Sequence, residues 1–180
     1  MTRLKQLIPT GLLFFSLILL LAGVAHAGSV SATLYKATDT GDGEAVGTVT
    51  FTDGADGLVI ETDLKGLPPG ERGFHVHEKP DCSPVSKDGK MTHAGAAGGH
   101  YDPDKTGKHL GPDGGGHKGD LPALKVADDG TAKTTMTLKG IKAEEFKNRA
   151  LMIHAGGDNY SDDPEPLGGG GARIACGIIK

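Results

Sequence analysis

The amino-acid sequence predicts an all-β domain, built as an antiparallel sandwich or flattened barrel with long loops on one side. First, apolar and polar residues alternate over seven or eight short segments, the spacing of strands with one buried face. Second, Gly-rich connections separate these segments, in a chain of 180 residues with 30 glycines and 10 prolines. Third, no heptad pattern, internal repeat or long amphipathic helix competes with this interpretation.

The predicted strands follow from the position of the apolar residues. Those in the first part of the domain, such as Val30, Ala32 and Leu34, share one parity and therefore one face of a strand. Turn residues lie between them at 39–43 and 53–57, and residues 142–148 have the composition of one short helical turn. The strand-like segments, in order, are 30–34, 49–51, 58–60, 73–77, 131–138, 150–154 and 173–179.

Residues 1–27 are predicted to be a secretory signal peptide. Arg3 and Lys5 form a basic start, an apolar run follows, and Ala25-His26-Ala27 is an A-x-A cleavage signal. A retained membrane anchor is the rival interpretation, but the uninterrupted apolar run is short for a span. We therefore expect cleavage after Ala27, a single domain over 28–180, no stable membrane anchor and a periplasmic location.

The charge of that domain excludes some partners. The whole chain carries 19 basic and 23 acidic residues, a net charge of −4. Cleavage after Ala27 removes two basic residues and no acidic one, so the net charge becomes −6. An acidic domain of this kind argues against nucleic acid or an anionic membrane as a partner.

Six of the eight histidines lie between Gly73 and Asp120, and five of them, all except His93, indicate a metal site. His75 and His77 belong to a strand-like run, where residues two apart point to the same side and can hold one ion together. The other three lie in a long Gly-, Pro- and Asp-rich loop, and metal ligands would supply the order that its backbone lacks. These three are His100, His109 and His117, and Asp120 supplies a carboxylate close behind them.

The two cysteines, Cys82 and Cys176, are expected to form a disulfide because an exported protein matures in an oxidising compartment. The alternative is a pair of buried free thiols. Near the end of the chain, His154, Asp158 and Arg173 each have an ordinary explanation as isolated residues. They can take part in function only if the fold places them beside the histidine cluster.

The chain resembles the bacterial, exported copper–zinc superoxide dismutases over essentially all of residues 28–180. The segments GFHVHE, AGGHYDP, KHLGP, GGGHKGDLP, LMIHAGGDNYSD and GGARIACGII occur here in the order that the family has them. The resemblance implies the family's fold, an eight-stranded antiparallel Greek-key β-barrel, a relative of the β-sandwich, with long metal-binding and active-site loops.

The resemblance also assigns the metal ligands. Copper would be held by His75, His77, His100 and His154. Zinc would share His100 and be held otherwise by His109, His117 and Asp120. Asp158 corresponds to the carboxylate that joins a copper histidine to a zinc histidine, here His75 and His109. Arg173 corresponds to the arginine that guides the anionic substrate and would act in catalysis with His100. Cys82 and Cys176 correspond to the family's disulfide.

The activity that the resemblance implies is the dismutation of superoxide to dioxygen and hydrogen peroxide by a copper redox cycle, with a zinc-supported bridging histidine. Such an enzyme would protect against oxidative stress outside the cytoplasm. A metal buffer or chaperone is an alternative, although that class typically uses an exposed site with Cys or Met ligands. A copper-only relative is a third, but the zinc ligand set is complete. Family association favours a homodimer.

Two features lie outside the family pattern. Residues 158–165 are acidic and contain no Lys or Arg, whereas many relatives outside bacteria carry basic steering residues there. Attraction of the anion is then expected to come from copper, Arg173 and loop lysines such as Lys87, Lys90, Lys105 and Lys108. His93 matches no ligand position and is expected to be a solvent-exposed loop residue, with a weak role in copper acquisition beside Met91 as the alternative.

Overall fold

The computed structural model describes residues 28–180. The predicted signal peptide, with His26, lies outside the described residues. Three long antiparallel strands open the domain: β1 (Ser29–Thr38), β2 (Gly41–Asp53) and β3 (Leu58–Leu64). The alternation seen in the sequence is present, because Val30, Ala32 and Leu34 are buried while their neighbours in β1 face outward.

The remaining elements are short. They are β4 (Gly70–Arg72), β5 (Phe74–His77), β6 (Val85–Lys87), β7 (Lys90–Thr92), β8 (Leu124–Val126), β9 (Ala132–Leu138), α1 (Ala143–Phe146), β10 (Ala150–His154) and β11 (Arg173–Ile178). Turns of 3-10 helix lie at Gly95–Ala97 and Pro166–Gly169. Within residues 28–180, no helix has the length and apolar character needed to cross a membrane.

The strands form a curled antiparallel barrel of the Greek-key type, which confirms the predicted fold class. Seven strands lie in one sheet in the order β5-β10-β11-β1-β2-β3-β9, and β8 pairs with β4. Because only Gly73 separates β4 from β5, these two act as one interrupted strand, and the barrel has eight strands in all. The long loop between β5 and β8 is left outside the sheet, where it can cover the end of β5.

The barrel interior is a continuous apolar core. Phe51 from β2 meets Phe146 from α1 edge to face, with ring centroids 5.6 Å apart. Burying an apolar side chain of this size stabilises the fold by roughly 1.5–3 kcal/mol. This core gives a rigid base to β5, which carries His75 and His77, and to β10, which ends at His154.

The structure departs from the sequence prediction in two places. The turn predicted at 39–43 is shorter, because β2 begins at Gly41 and irregular pairing beside Tyr35 keeps the two strands together. The loop after β5 is not without secondary structure, since it contains the β6–β7 hairpin and a 3-10 turn. The predicted helical turn at 142–148 is present as α1.

Candidate metal centre

The histidines of β5 and β10 meet at one end of the sheet. The two strands pair antiparallel, with His75 opposite Met152, and the backbone N–H of His154 donates to the carbonyl of Gly73 over 2.9 Å. Non-local strand pairing therefore returns His154 to the cluster on β5. His75, His77 and His154 are all buried.

The long loop folds back against β5 and adds its own ligand residues. Isolated antiparallel bridges join His77 to His100 and His75 to Asp120. The loop comes close to β5 at Gly119, which is hydrogen-bonded to Val76 of that strand. A Cβ on Gly119 would lie 2.2 Å from the carbonyl oxygen of Val76, so only glycine permits this contact.

Three backbone hydrogen bonds fasten this contact. The carbonyl of Gly119 accepts from the N–H of Val76 over 2.9 Å. The N–H of Tyr101 donates instead to the carbonyl of Val76 over 2.8 Å, and the N–H of Gly119 donates to the carbonyl of Tyr101 over 2.9 Å. The segments after His100 and before Asp120 are therefore both tied to the strand that carries His75 and His77.

The first group of side chains contains only histidines. His75, His77, His100 and His154 each offer a ring nitrogen, and these four atoms lie within 4.8 Å of one another. The Nδ1–H of His77 donates to the carbonyl of Gly98 over 2.9 Å, and that of His154 to the carbonyl of Gly171 over 3.2 Å. Both rings then keep a free lone pair on Nε2, and the two Nε2 atoms are 3.4 Å apart.

The second group is built around a carboxylate. Ligand atoms of His75, His100, His109 and Asp120 lie within 4.8 Å of one another, so His75 belongs to both groups by distance. One oxygen of Asp120 is 2.9 Å from Nδ1 of His100, and the other is 3.0 Å from Nδ1 of His109. His117 lies outside this group, although its Nδ1 is 3.4 Å from Asp120 Oδ1.

Unpartnered polar atoms show that the cluster suits metal ions. Within residues 28–180, the buried side-chain atoms that lack a hydrogen-bond partner are Nδ1 of His75, His109 and His117 and Oδ2 of Asp120. The 3.0 Å approach of His109 to Asp120 therefore lacks the angle of a hydrogen bond. A buried polar atom without a partner costs free energy, and all four are nitrogen or oxygen donors of the kind that zinc and copper bind. The donor set fits both metals.

Asp158 connects the two groups. Its Oδ2 is 2.6 Å from Nε2 of His75, and its Oδ1 is 2.7 Å from Nε2 of His109. Burial alone would raise the pKa of Asp158, but the bonds to His109 and His75 outweigh it and hold the pKa below its ordinary 3.8. Each ring donates Nε2–H to this carboxylate, which leaves Nδ1 as the atom that faces the cluster.

The protonation of the rings follows from burial and from the carboxylates. Burial lowers the pKa of His77 to about 2, that of His154 to about 3 and that of His100 to about 4. His109 differs, because burial is outweighed by the two neighbouring carboxylates, Asp120 and Asp158, which raise its pKa to about 9. His77, His100 and His154 are thus neutral near pH 7, the form in which imidazole binds a metal.

Arg173 starts β11 directly beside these rings. Its Nη1 donates to the carbonyl of Ala94 and its Nη2 to the carbonyl of Gly98, each over 2.6 Å. The carbonyl of Gly98 therefore holds both Arg173 and His77. Partial burial lowers the pKa of Arg173, but an arginine ordinarily loses its proton only far above neutral pH, so the side chain remains a cation.

The disulfide between Cys82 and Cys176 is present, with Cα atoms 5.9 Å apart, and this excludes the free-thiol alternative. Cys176 lies three residues after Arg173 in β11 and packs against Ala94 and Ala97 of the long loop. The bond therefore ties β11 to the loop whose carbonyls hold the Arg173 guanidinium.

Other predicted residues lie away from the cluster. His93 is partly exposed, as expected, and its Nε2 is 2.8 Å from Asp39 Oδ1, so it belongs to neither group. Lys90, Lys105 and Lys108 are exposed. The sequence analysis did not identify Gly98, because this residue acts through its backbone carbonyl, which accepts from His77 and Arg173. The glycine pair before His100 was the one feature of the sequence that could have pointed to it.

The comparisons with known proteins agree with this geometry. Residues 45–179 match the family described as "Copper/zinc superoxide dismutase (SODC)". The chain is 52% identical to the "Superoxide dismutase [Cu-Zn]" of Escherichia coli (strain K12) over 165 residues, which cover 91% of this chain and 95% of the relative. The solved "Cu/Zn superoxide dismutase from Brucella abortus" has a TM-score of 0.83 and 52% identity, over 85% of this chain and 100% of that one. The monomeric copper, zinc superoxide dismutase from Salmonella enterica has a TM-score of 0.76 and 51% identity, over 85% of this chain and 100% of that one.

Proposed function

The chain belongs to the copper/zinc superoxide dismutase family, and from this premise we propose that it converts superoxide to dioxygen and hydrogen peroxide. The observation that carries the proposal is the pair of buried ligand groups, which have His75 and His100 in common. A storage or carrier protein has no need of a cation fixed beside such a pair, whereas an enzyme acting on a small anion does.

We assign the copper set to His75, His77, His100 and His154, and the zinc set to His100, His109, His117 and Asp120. His75 lies in both distance groups. It is assigned to copper because its strand neighbour His77 belongs there, as does His154, whose ring centroid lies 4.9 Å from that of His75. An all-imidazole set suits copper, and three imidazoles with one carboxylate suit structural zinc.

The chemistry is divided between the metals and the chain. When bound, copper supplies one-electron exchange with superoxide, and zinc supplies a fixed positive charge and structural order. His100 serves both sets: its Nδ1 faces Asp120, and we propose that its Nε2 takes up and releases the proton that the product needs. Asp158 fixes the rings of His75 and His109 in one tautomer, so that Nδ1 of each stays directed at the cluster.

Arg173 is proposed to bind and orient the anion. The two carbonyls of Ala94 and Gly98 hold its guanidinium rigidly, so little entropy is lost when the substrate arrives. The acidic residues at 158–165 argue against steering from that loop, and Arg173 with exposed lysines such as Lys90, Lys105 and Lys108 is the proposed source of attraction.

We further propose that residues 1–27 are removed as a signal peptide and that residues 28–180 act in the periplasm, without a stable membrane anchor. The basic start, apolar run and A-x-A motif of the sequence support this. Family association supports a homodimer, although the Salmonella enterica relative is monomeric. N-terminal sequencing of the exported protein and sedimentation of residues 28–180 test these two points.

The test of the activity is the decay of superoxide in the presence of purified residues 28–180 loaded with copper and zinc. We expect decay far faster than the spontaneous reaction, and loss of the effect when copper is removed. A protein that holds both metals at one equivalent each yet leaves the decay unchanged would be a metal buffer or chaperone instead.

A further inference from the structure

Residues 158–162 hold the loop that carries two of the proposed zinc ligands. We call residues 108–118 the zinc-side loop. Asp158 Oδ1 lies 2.7 Å from Nε2 of His109, and the Oδ2 of Asp162 accepts from the backbone N–H of His109 over 2.9 Å. Both of these contacts act on one residue, His109, and leave the following glycine-rich part of the loop without such a bond.

Tyr160 provides a third point of contact, on that glycine-rich part. A Cβ built on Gly111 would lie 2.8 Å from Cγ and Cδ1 of the tyrosine, so the ring packs directly against the Gly111 backbone. The Tyr160 hydroxyl accepts from the backbone N–H of Ala123 over 2.9 Å, and the Tyr160 N–H donates to Asp158 Oδ1 over 2.8 Å. The ring is therefore fixed at both ends.

The backbone conformation of Tyr160 is unusual for a residue with a side chain. Its φ is 55°, in the left-handed region that costs a residue with a Cβ free energy, and the residue is 40% exposed. An exposed aromatic side chain gains little from burial. Its contacts with Gly111 and Ala123 therefore offset the cost of this backbone conformation.

The zinc-side loop also borders free space. A cavity of about 90 Å³ lies between Gly115, Gly116 and His117 of the loop and Leu138 and Ile141 at the end of the barrel. His117 is also the least buried proposed zinc ligand, with 9% of its side chain exposed against 0–1% for His100, His109 and Asp120. The loop thus has space to move into, and its contact with Tyr160 limits that movement.

We propose that Tyr160 is a positioning residue that latches the zinc-side loop and sets the rate at which zinc leaves the site, without acting on copper. The inference rests on the zinc ligands proposed above. Zinc can leave only when His117 moves away, and the loop that carries His117 moves only when its contact with Tyr160 opens. The copper set has no member in this loop.

The test measures zinc release from the copper- and zinc-loaded protein into a chromogenic chelator. Loss of the aromatic contact in Tyr160→Ala is expected to speed zinc release about tenfold. Tyr160→Phe keeps the ring on Gly111 and loses only the hydroxyl bond, so most of the retention is expected to return. Tyr35→Ala, which removes an aromatic side chain from the outer side of β1, is the matched control and should release zinc at the wild-type rate.

Copper release and unfolding of the metal-free proteins separate a latch from a general loss of stability. The latch predicts unchanged copper release in Tyr160→Ala, and equal acceleration of both metals would overturn it. Equal zinc release in wild type and Tyr160→Ala would overturn it as well. If Tyr160→Ala does not fold, Tyr160→Leu is expected to release zinc faster than Tyr160→Phe. A wild-type protein that binds no zinc would refute the proposed ligand set itself, which is a different result.

Discussion

Removal of the disulfide tests how the fold supports the site. The change is Cys82→Ser together with Cys176→Ala, because Cys176 is only 1% exposed and packs in an apolar cluster where a hydroxyl would add a cost of its own. The two cysteines are 94 positions apart, and closing a loop of that length stabilises the folded state by about 4–5 kcal/mol on the chain-entropy model. We expect the free energy of unfolding to fall by about this amount.

The same change should lower activity by more than the loss of folded protein explains. The disulfide ties β11, which starts at Arg173, to the loop whose Ala94 and Gly98 carbonyls hold that arginine. Without the bond, the loop can shift relative to β11, and the guanidinium loses its fixed position. Specific activity per folded, copper-loaded molecule is therefore expected to fall.

Urea unfolding of the metal-free wild type and double variant gives their free energies of unfolding. The rate of superoxide decay, measured at a temperature where both proteins are folded, gives the activity. Copper content must be measured in the same samples, so that lost metal is not counted as lost catalysis. A double variant with an unchanged free energy of unfolding and unchanged activity per copper would refute the reasoning.

Three further predictions concern the metals, the substrate and pH. His154→Ala should lose copper and activity while zinc stays bound, whereas Asp120→Ala should lose zinc and thermal stability but keep some activity. Mass spectrometry of the metal content measures this. Loss of zinc with retention of copper in His154→Ala would contradict the ligand sets. The second-order rate should fall as ionic strength rises, and Arg173→Glu should lower it far more than Arg173→Ala; a rate that rises with salt would mean that net repulsion dominates. The metal-free protein should lose stability as pH falls below about 6.5. Burial holds the pKa of His77 at about 2, so in this pH range the unfolded chain binds protons that the folded site does not. Equal melting temperatures at pH 5 and 7 would contradict this.

The strands that could be predicted are those with a clear local pattern. β1 and β3 alternate buried and exposed residues along their length, so their existence and their inward faces follow from the sequence. β4, β6, β7 and β8 have three residues each, too few for a period to be seen, and they exist because of their partners in the fold. Local patterns predict strands, whereas pairing alone defines the short ones.

The candidate site shows the same division. That His75 and His77 share a face follows from their spacing on a strand. That His154 joins them depends on the pairing of β10 with β5, which no local pattern reveals, and the resemblance supplied it instead. The part played by the Gly98 carbonyl, which holds His77 and Arg173 together, could not be predicted, because a backbone acceptor leaves no mark in the side-chain sequence.

The most direct test of the central claim is a crystal structure of the copper- and zinc-loaded protein with anomalous diffraction recorded on both sides of the copper and zinc absorption edges. We expect two separate metal peaks, with one ring nitrogen of His100 beside each. We also expect Nδ1 of His75 beside copper and Nδ1 of His109 and His117 beside zinc. A single shared peak, or a zinc peak that lacks His117 or Asp120, would refute the two ligand sets.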